Sequence, residues 1–63
     1  MKLVKFTGQW QSELYLNREK VLAVRPIKIE DGVLGTEISC TDEFYFIVRE
    51  NHLQVVEMLN KGE

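Results

Sequence analysis

Apolar residues recur at alternate positions over most of the chain and take a helical spacing only near its C-terminal part, which predicts several strands followed by one helix. Leu3, Val4 and Phe6 lie among Lys2 and Lys5, and residues 2–6 read as a first strand. Residues 7–12 are polar around a single tryptophan, Trp10, and predict a turn or loose hairpin. Residues 13–16 form a second strand, and the polar stretch 17–20 reads as a turn or one helical turn. Residues 21–25 form a third strand. Pro26 then removes a backbone donor, so an edge, a bend or a strand end is expected there, with 27–30 continuing the extended chain.

Asp31-Gly32 between two alternating runs predicts a tight hairpin, because glycine takes positive φ without a steric cost. A fourth strand follows over 33–40, with Gly35 as the expected site of a bulge. Residues 41–43 turn the chain into a fifth strand over 44–49. That strand is apolar on both faces, which predicts a central position or cover by a helix on one side and a partner on the other.

The one helix follows. Asn51 fits its N-cap and Gln54 sits three residues on, a capping-box pattern. Glu50 lies near the positive end of the helix dipole, and Gly62 after Lys61 fits its stop. At the helical period His52, Val55, Val56 and Leu59 share a face, Leu53 and Met58 widen it, and Gln54 and Glu57 point outward. The arc is wider than one sheet face needs, so part of it is expected against another chain. The predicted fold is α+β: one domain over 1–63, with a small bent antiparallel sheet of four to five strands and a C-terminal α-helix on one face or end.

Size sharpens this picture. The chain has 63 residues and a mass of 7.4 kDa. Folding should remove about 6,500 Å² from water, of which about 3,700 Å² is apolar and contributes about 93 kcal/mol at ~25 cal/mol/Å². Ordering the chain costs about 95 kcal/mol. With the two sums cancelling, oligomerisation or a bound partner is the expected extra source of stability. One Cys and one His give neither an internal disulfide nor a four-ligand zinc site, and no cofactor or metal is expected. A lone thiol and the lack of a signal-like apolar stretch at 1–6 point to a reducing cytoplasm. Charges interrupt every apolar run before the ~18 residues a membrane span needs. The formal net charge of −2 argues against nucleic acid, whose binders carry a basic surplus.

The stretch from Glu13 to Asn17, the apolar run from Val21 to Val24, and the segment Tyr45–Asn51 followed by Val55-Val56 resemble the small flagellar FlbD/SwrD-like family. The order of segments matches from Leu3 to Leu59. Before the second strand the family carries Asn-Gly where this chain has Trp10-Gln11, and the segment from Arg25 to Thr36 is longer here. The resemblance implies a short cytoplasmic protein without catalytic residues, linked to bacterial motility.

The candidate chemistry is sparse. Cys40 reads as a small buried hydrophobe and His52 as cover for the helix start; one of each does not make a catalytic pair. The acidic pairs Glu30/Asp31 and Asp42/Glu43 sit at turns, where they favour the turn. Gly8, Gly32 and Gly35 form no phosphate-binding loop. Six residues stand out as partner-binding candidates: Trp10, Tyr15, Arg25, Tyr45, Arg49 and Met58. Trp10 either lids the core or anchors an interface, where tryptophan is enriched. Tyr15 and Tyr45 either pack within the sheet or meet a partner. Arg25 and Arg49 either guard strand edges or clamp an anion.

The expected function is therefore a non-catalytic, cytoplasmic binding or regulatory module. It acts on a protein partner and self-associates through the helix or the fifth strand. The alternative is an oligomeric binder of a small ligand such as a nucleotide signal, with Arg25, Lys28, Tyr45 and Arg49 converging on phosphates at subunit junctions. A bacterial or phage source fits both, including a phage-encoded inhibitor of a host system.

Overall fold

The computed structural model describes residues 3–61. Lys2, expected to open the first strand, and Gly62, the expected helix stop, lie outside the described residues. Strands β1 (Leu3–Thr7) and β2 (Glu13–Asn17) form one antiparallel hairpin. Strands β3 (Val21–Glu30), β4 (Val33–Cys40) and β5 (Tyr45–Val48) form an antiparallel sheet in that spatial order, and helix α1 (His52–Asn60) follows. The α+β class, the five strands and the C-terminal helix are as the hydrophobic pattern predicts.

Local chemistry accounts for the boundaries. The Asn17 side chain accepts a hydrogen bond from the Glu19 N–H at 2.9 Å, and 18–20 closes as a single 3-10 turn. The Asn51 side chain accepts from the Gln54 N–H at 2.8 Å, which caps α1. Residues 21–30 form one strand of ten residues that runs through Pro26. Proline is tolerated there because β3 is an edge strand, paired on one side only.

One of the two alternatives for the fifth strand is excluded, and one expectation is corrected. The fifth strand is not central: β4 is, and β5 is a four-residue edge. Both faces of β5 are apolar because Phe46 and Val48 face the core while Tyr45 and Ile47 line the opposite, open face. Gly35 is not a bulge either. The register shifts lie in β3, between Val21 and Ala23 and between Lys28 and Glu30. Gly35 stays in register opposite Ile27, and a Cβ there would come within 2.5 Å of the Val48 carbonyl oxygen and 3.1 Å of the Ile29 side chain. Close approach, not a kink, explains this glycine.

The core draws on every layer. Val4, Phe6 and Leu16 come from the hairpin, Ile38, Cys40 and Val48 from the sheet, and Val55 from the helix. Each fully buried large side chain contributes roughly 1.5–3 kcal/mol. The helix packs on β3 and β4 through Val55, with Met58 and Leu59 partly buried against the core. Its apolar arc divides: Leu53 is 71 % exposed and Val56 is 42 % exposed.

The hairpin and the sheet are joined by one seam. Gly8 bridges Val48, and the Arg49 N–H donates to the Thr7 carbonyl at 2.7 Å. Both carboxylate oxygens of Glu50 accept from the Thr7 N–H at 3.0 Å. The Glu50 carbonyl accepts from the hydroxyl of buried Thr36 at 2.7 Å. Residues Arg49 and Glu50 thus form a clasp between the two halves.

Candidate functional site

The tip of the β1–β2 hairpin is built against the preference of its residues. Gly8 donates to the Ser12 carbonyl at 2.8 Å, and the Gln9 carbonyl accepts from the Ser12 hydroxyl at 3.0 Å and from its N–H at 3.5 Å. Between them Trp10 has φ 67 and Gln11 has φ 62. Positive φ at both central residues is the pattern of a type I′ turn, whose twist suits a hairpin and whose preferred residues are Asn and Gly. A residue with a Cβ costs about 1–2 kcal/mol in this region. Trp10 is held there with its side chain 92 % exposed. The indole does not lid the core.

Beside it lies a shallow groove of about 200 Å³, lined by Gln9, Trp10, Ile29, Glu30 and Arg49. The seam positions Arg49: its backbone is bonded to Thr7, and its guanidinium reaches across to donate to Glu30 Oε2 at 3.3 Å. Ile29, at the irregular end of β3, reaches over Gly35 and forms the apolar wall. The groove is thus mixed: an indole and an aliphatic wall lie beside the polar Gln9, with one cation and one anion neutralising each other.

Of the six partner-binding candidates, the fold brings Trp10 and Arg49 together. Arg25 and Tyr45 lie on the open face of the β3–β4–β5 sheet, two rows of the same surface. Arg25 pairs with Glu37, opposite it in register, and the Glu37 side chain is only 13 % exposed. Tyr45 stands opposite Ser39 and is 61 % exposed. Tyr15 is exposed on the outer face of the hairpin, opposite Lys5, whose Nζ lies 3.6 Å from Glu13. Met58 is partly buried against the core. Gln9 and Ile29 carry no site signal in the sequence, and Glu30 reads there only as half of an acidic pair that favours a turn. Glu30 meets Arg49 across 19 residues of chain, and no local pattern marks such a pair.

The groups with chemical reactivity do not assemble. Cys40 is buried, and that burial pushes its thiol above the ordinary value of 9.0, so it stays a neutral thiol. No hydrogen bond joins it to His52 among the described residues, and His52 Nδ1 is buried without a partner. The Asp42 side chain lies outside the described set; Glu43 is exposed in its turn at φ 65. Among the described residues no three His, Cys, Asp or Glu side chains converge as a metal ion would need. No helix among the described residues is long and apolar enough to cross a membrane. Comparison with protein-family models, with curated proteins and with solved structures found no match.

Proposed function

We propose that this chain is a non-catalytic binding module that engages a protein through the Trp10 groove and associates with itself. The single observation behind this is Trp10, presented to water on a turn whose backbone favours other residues. Burying an indole from water releases 150–250 Å² of apolar surface, and Trp and Arg dominate interface energies. Here one of each borders the same groove. A reducing cytoplasmic setting suits the unpaired thiol of Cys40.

The small-ligand alternative has weaker support. A groove of about 200 Å³ is below the ~300–1,000 Å³ of typical ligand pockets. Arg25 and Arg49 each hold a carboxylate already, so a phosphate would have to displace Glu37 or Glu30.

Trp10 is the chain's one tryptophan, so its fluorescence reports the site directly. On complex formation its emission should move to shorter wavelength, and Trp10→Ala should lose binding while keeping the far-ultraviolet circular dichroism of the fold. Binding that survives Trp10→Ala, or a complex in which the emission stays at its water-exposed position, would overturn the proposal.

A further inference from the structure

We infer that the occupant of the Trp10 groove is the Trp10 side chain of a second copy of this chain, exchanged reciprocally about a two-fold axis. The inference rests on the binding reading above and names its partner.

A two-fold contact uses the same patch on both subunits, so a protruding group and the cavity that receives its twin must lie on one patch. Trp10 meets this condition. It stands 92 % exposed and is itself one wall of the groove, whose other walls are Ile29, Glu30 and Arg49. The volume, about 200 Å³, is that of one large side chain rather than of a drug-sized ligand.

Charge points the same way. Arg49 and Glu30 are bonded to each other, so the groove offers no net attraction to an anionic or a cationic partner. It offers an aliphatic wall and a guanidinium on which an incoming indole can stack. With a net charge of −2 on each chain, two copies repel only weakly.

The groove alone is too small for a stable dimer, which buries about 800 Å² per partner. The open face of the sheet supplies the rest, because Ile29 belongs to both. From Ile29 that face continues over half-buried Ile27 and Ile47 to exposed Tyr45. Its one central charge, Glu37, is already neutralised by Arg25, which lowers the cost of excluding water.

Backbone strain supplies an independent reason. Two consecutive residues with side chains hold positive φ where Asn-Gly would be relaxed. An exposed tryptophan on a strained turn destabilises a lone subunit, and burying the indole offsets that cost without relaxing the backbone.

The test uses the intact chain and two variants. Sedimentation equilibrium across a concentration series is read together with Trp10 emission. The wild-type protein should dimerise, with the emission shift tracking the dimer fraction. Trp10→Ala should weaken the dimer by about thirtyfold or more. The double variant Trp10→Asn with Gln11→Gly should be monomeric and yet melt several degrees above the wild-type monomer, which separates lost association from lost folding. A wild-type chain that stays monomeric at millimolar concentration overturns the inference. So does a dimer of undiminished affinity in Trp10→Ala. If the wild-type chain stays monomeric but its Trp10 emission shifts on adding a different purified protein, self-association and the second-copy inference fail while the reading that the groove engages a protein stands. If Trp10 emission moves in no complex at all, both fail.

Discussion

Two of the three hairpins in the described residues, β1–β2 and β3–β4, close in opposite ways. At the β3–β4 tip, Asp31-Gly32 places glycine at φ 74, where no side chain is strained and a Cβ would meet open space. At the β1–β2 tip, Trp10 and Gln11 occupy the left-handed region with full side chains. One turn uses residues suited to its backbone. The other sacrifices about 1–2 kcal/mol per residue to hold an indole in water. Strain alone does not single out the Trp10 turn, because Glu43 holds φ 65 in the β4–β5 turn as well; what sets the first tip apart is an indole held in water on such a backbone.

The comparison can be broken most severely at the clasp, since the first hairpin depends on Glu50 for its place. Glu50→Ala leaves the Thr7 N–H without its acceptor and should destabilise the fold by about 2–3 kcal/mol in urea titration, with Glu50→Gln restoring part of the loss. A loss below 0.5 kcal/mol, within the range of ordinary surface changes, would mean the seam is held by packing alone.

Making the second turn resemble the first comes next. Gly32→Ala puts a Cβ at φ 74 and should cost about 1–2 kcal/mol by the same titration, although nothing lies near enough to clash. The converse change is smaller and of opposite sign. Gln11→Gly relieves one left-handed side chain and should stabilise by about 0.5–1 kcal/mol, less than the strain because glycine also loosens the unfolded chain. If Gln11→Gly is neutral, the first turn is not strained and its contrast with the second disappears.

The smallest effect lies away from both turns and serves as their baseline. Cys40 is buried with its thiol raised above 9.0. Between the unfolded value and the higher folded one, the folded state keeps a proton that the unfolded state releases. Stability should therefore fall as pH rises through that window and stay unaffected below it. Denaturation midpoints measured on both sides of pH 9 should show this fall in the wild-type chain and less of it in Cys40→Ala.

Elements that rest on neighbours in sequence were legible before the fold was known. The Asn51–Gln54 cap, the Asp31-Gly32 turn and the alternation of the five strands each lie within a few residues of their cause. What escaped depends on distance along the chain. The edge position of β5 follows from which strands pair. Gly35 is explained by a carbonyl of Val48, the groove by Glu30 meeting Arg49, and the clasp by Glu50 meeting Thr7. Trp10 was legible as an oddity, an aromatic among polar residues, but its left-handed backbone is imposed by the hairpin twist. The division of the helix face was also hidden, because periodicity marks Leu53 and Val56 as apolar without saying that β3 and β4 reach only the side bearing Val55.

The position of the clasp also sets an order of events during synthesis. Thr7 leaves the ribosome 43 residues ahead of the Glu50 that receives its N–H. Until Glu50 and Val55 emerge, Val4, Phe6 and Leu16 have neither the seam nor the helix to close over them. The nascent hairpin is then two strands alone, which is marginal in water. Docking of this earlier-made hairpin is therefore the late step, governed by non-local closure, and a chain cut off between residues 17 and 50 would carry a sticky, protease-sensitive hairpin rather than a folded half-domain.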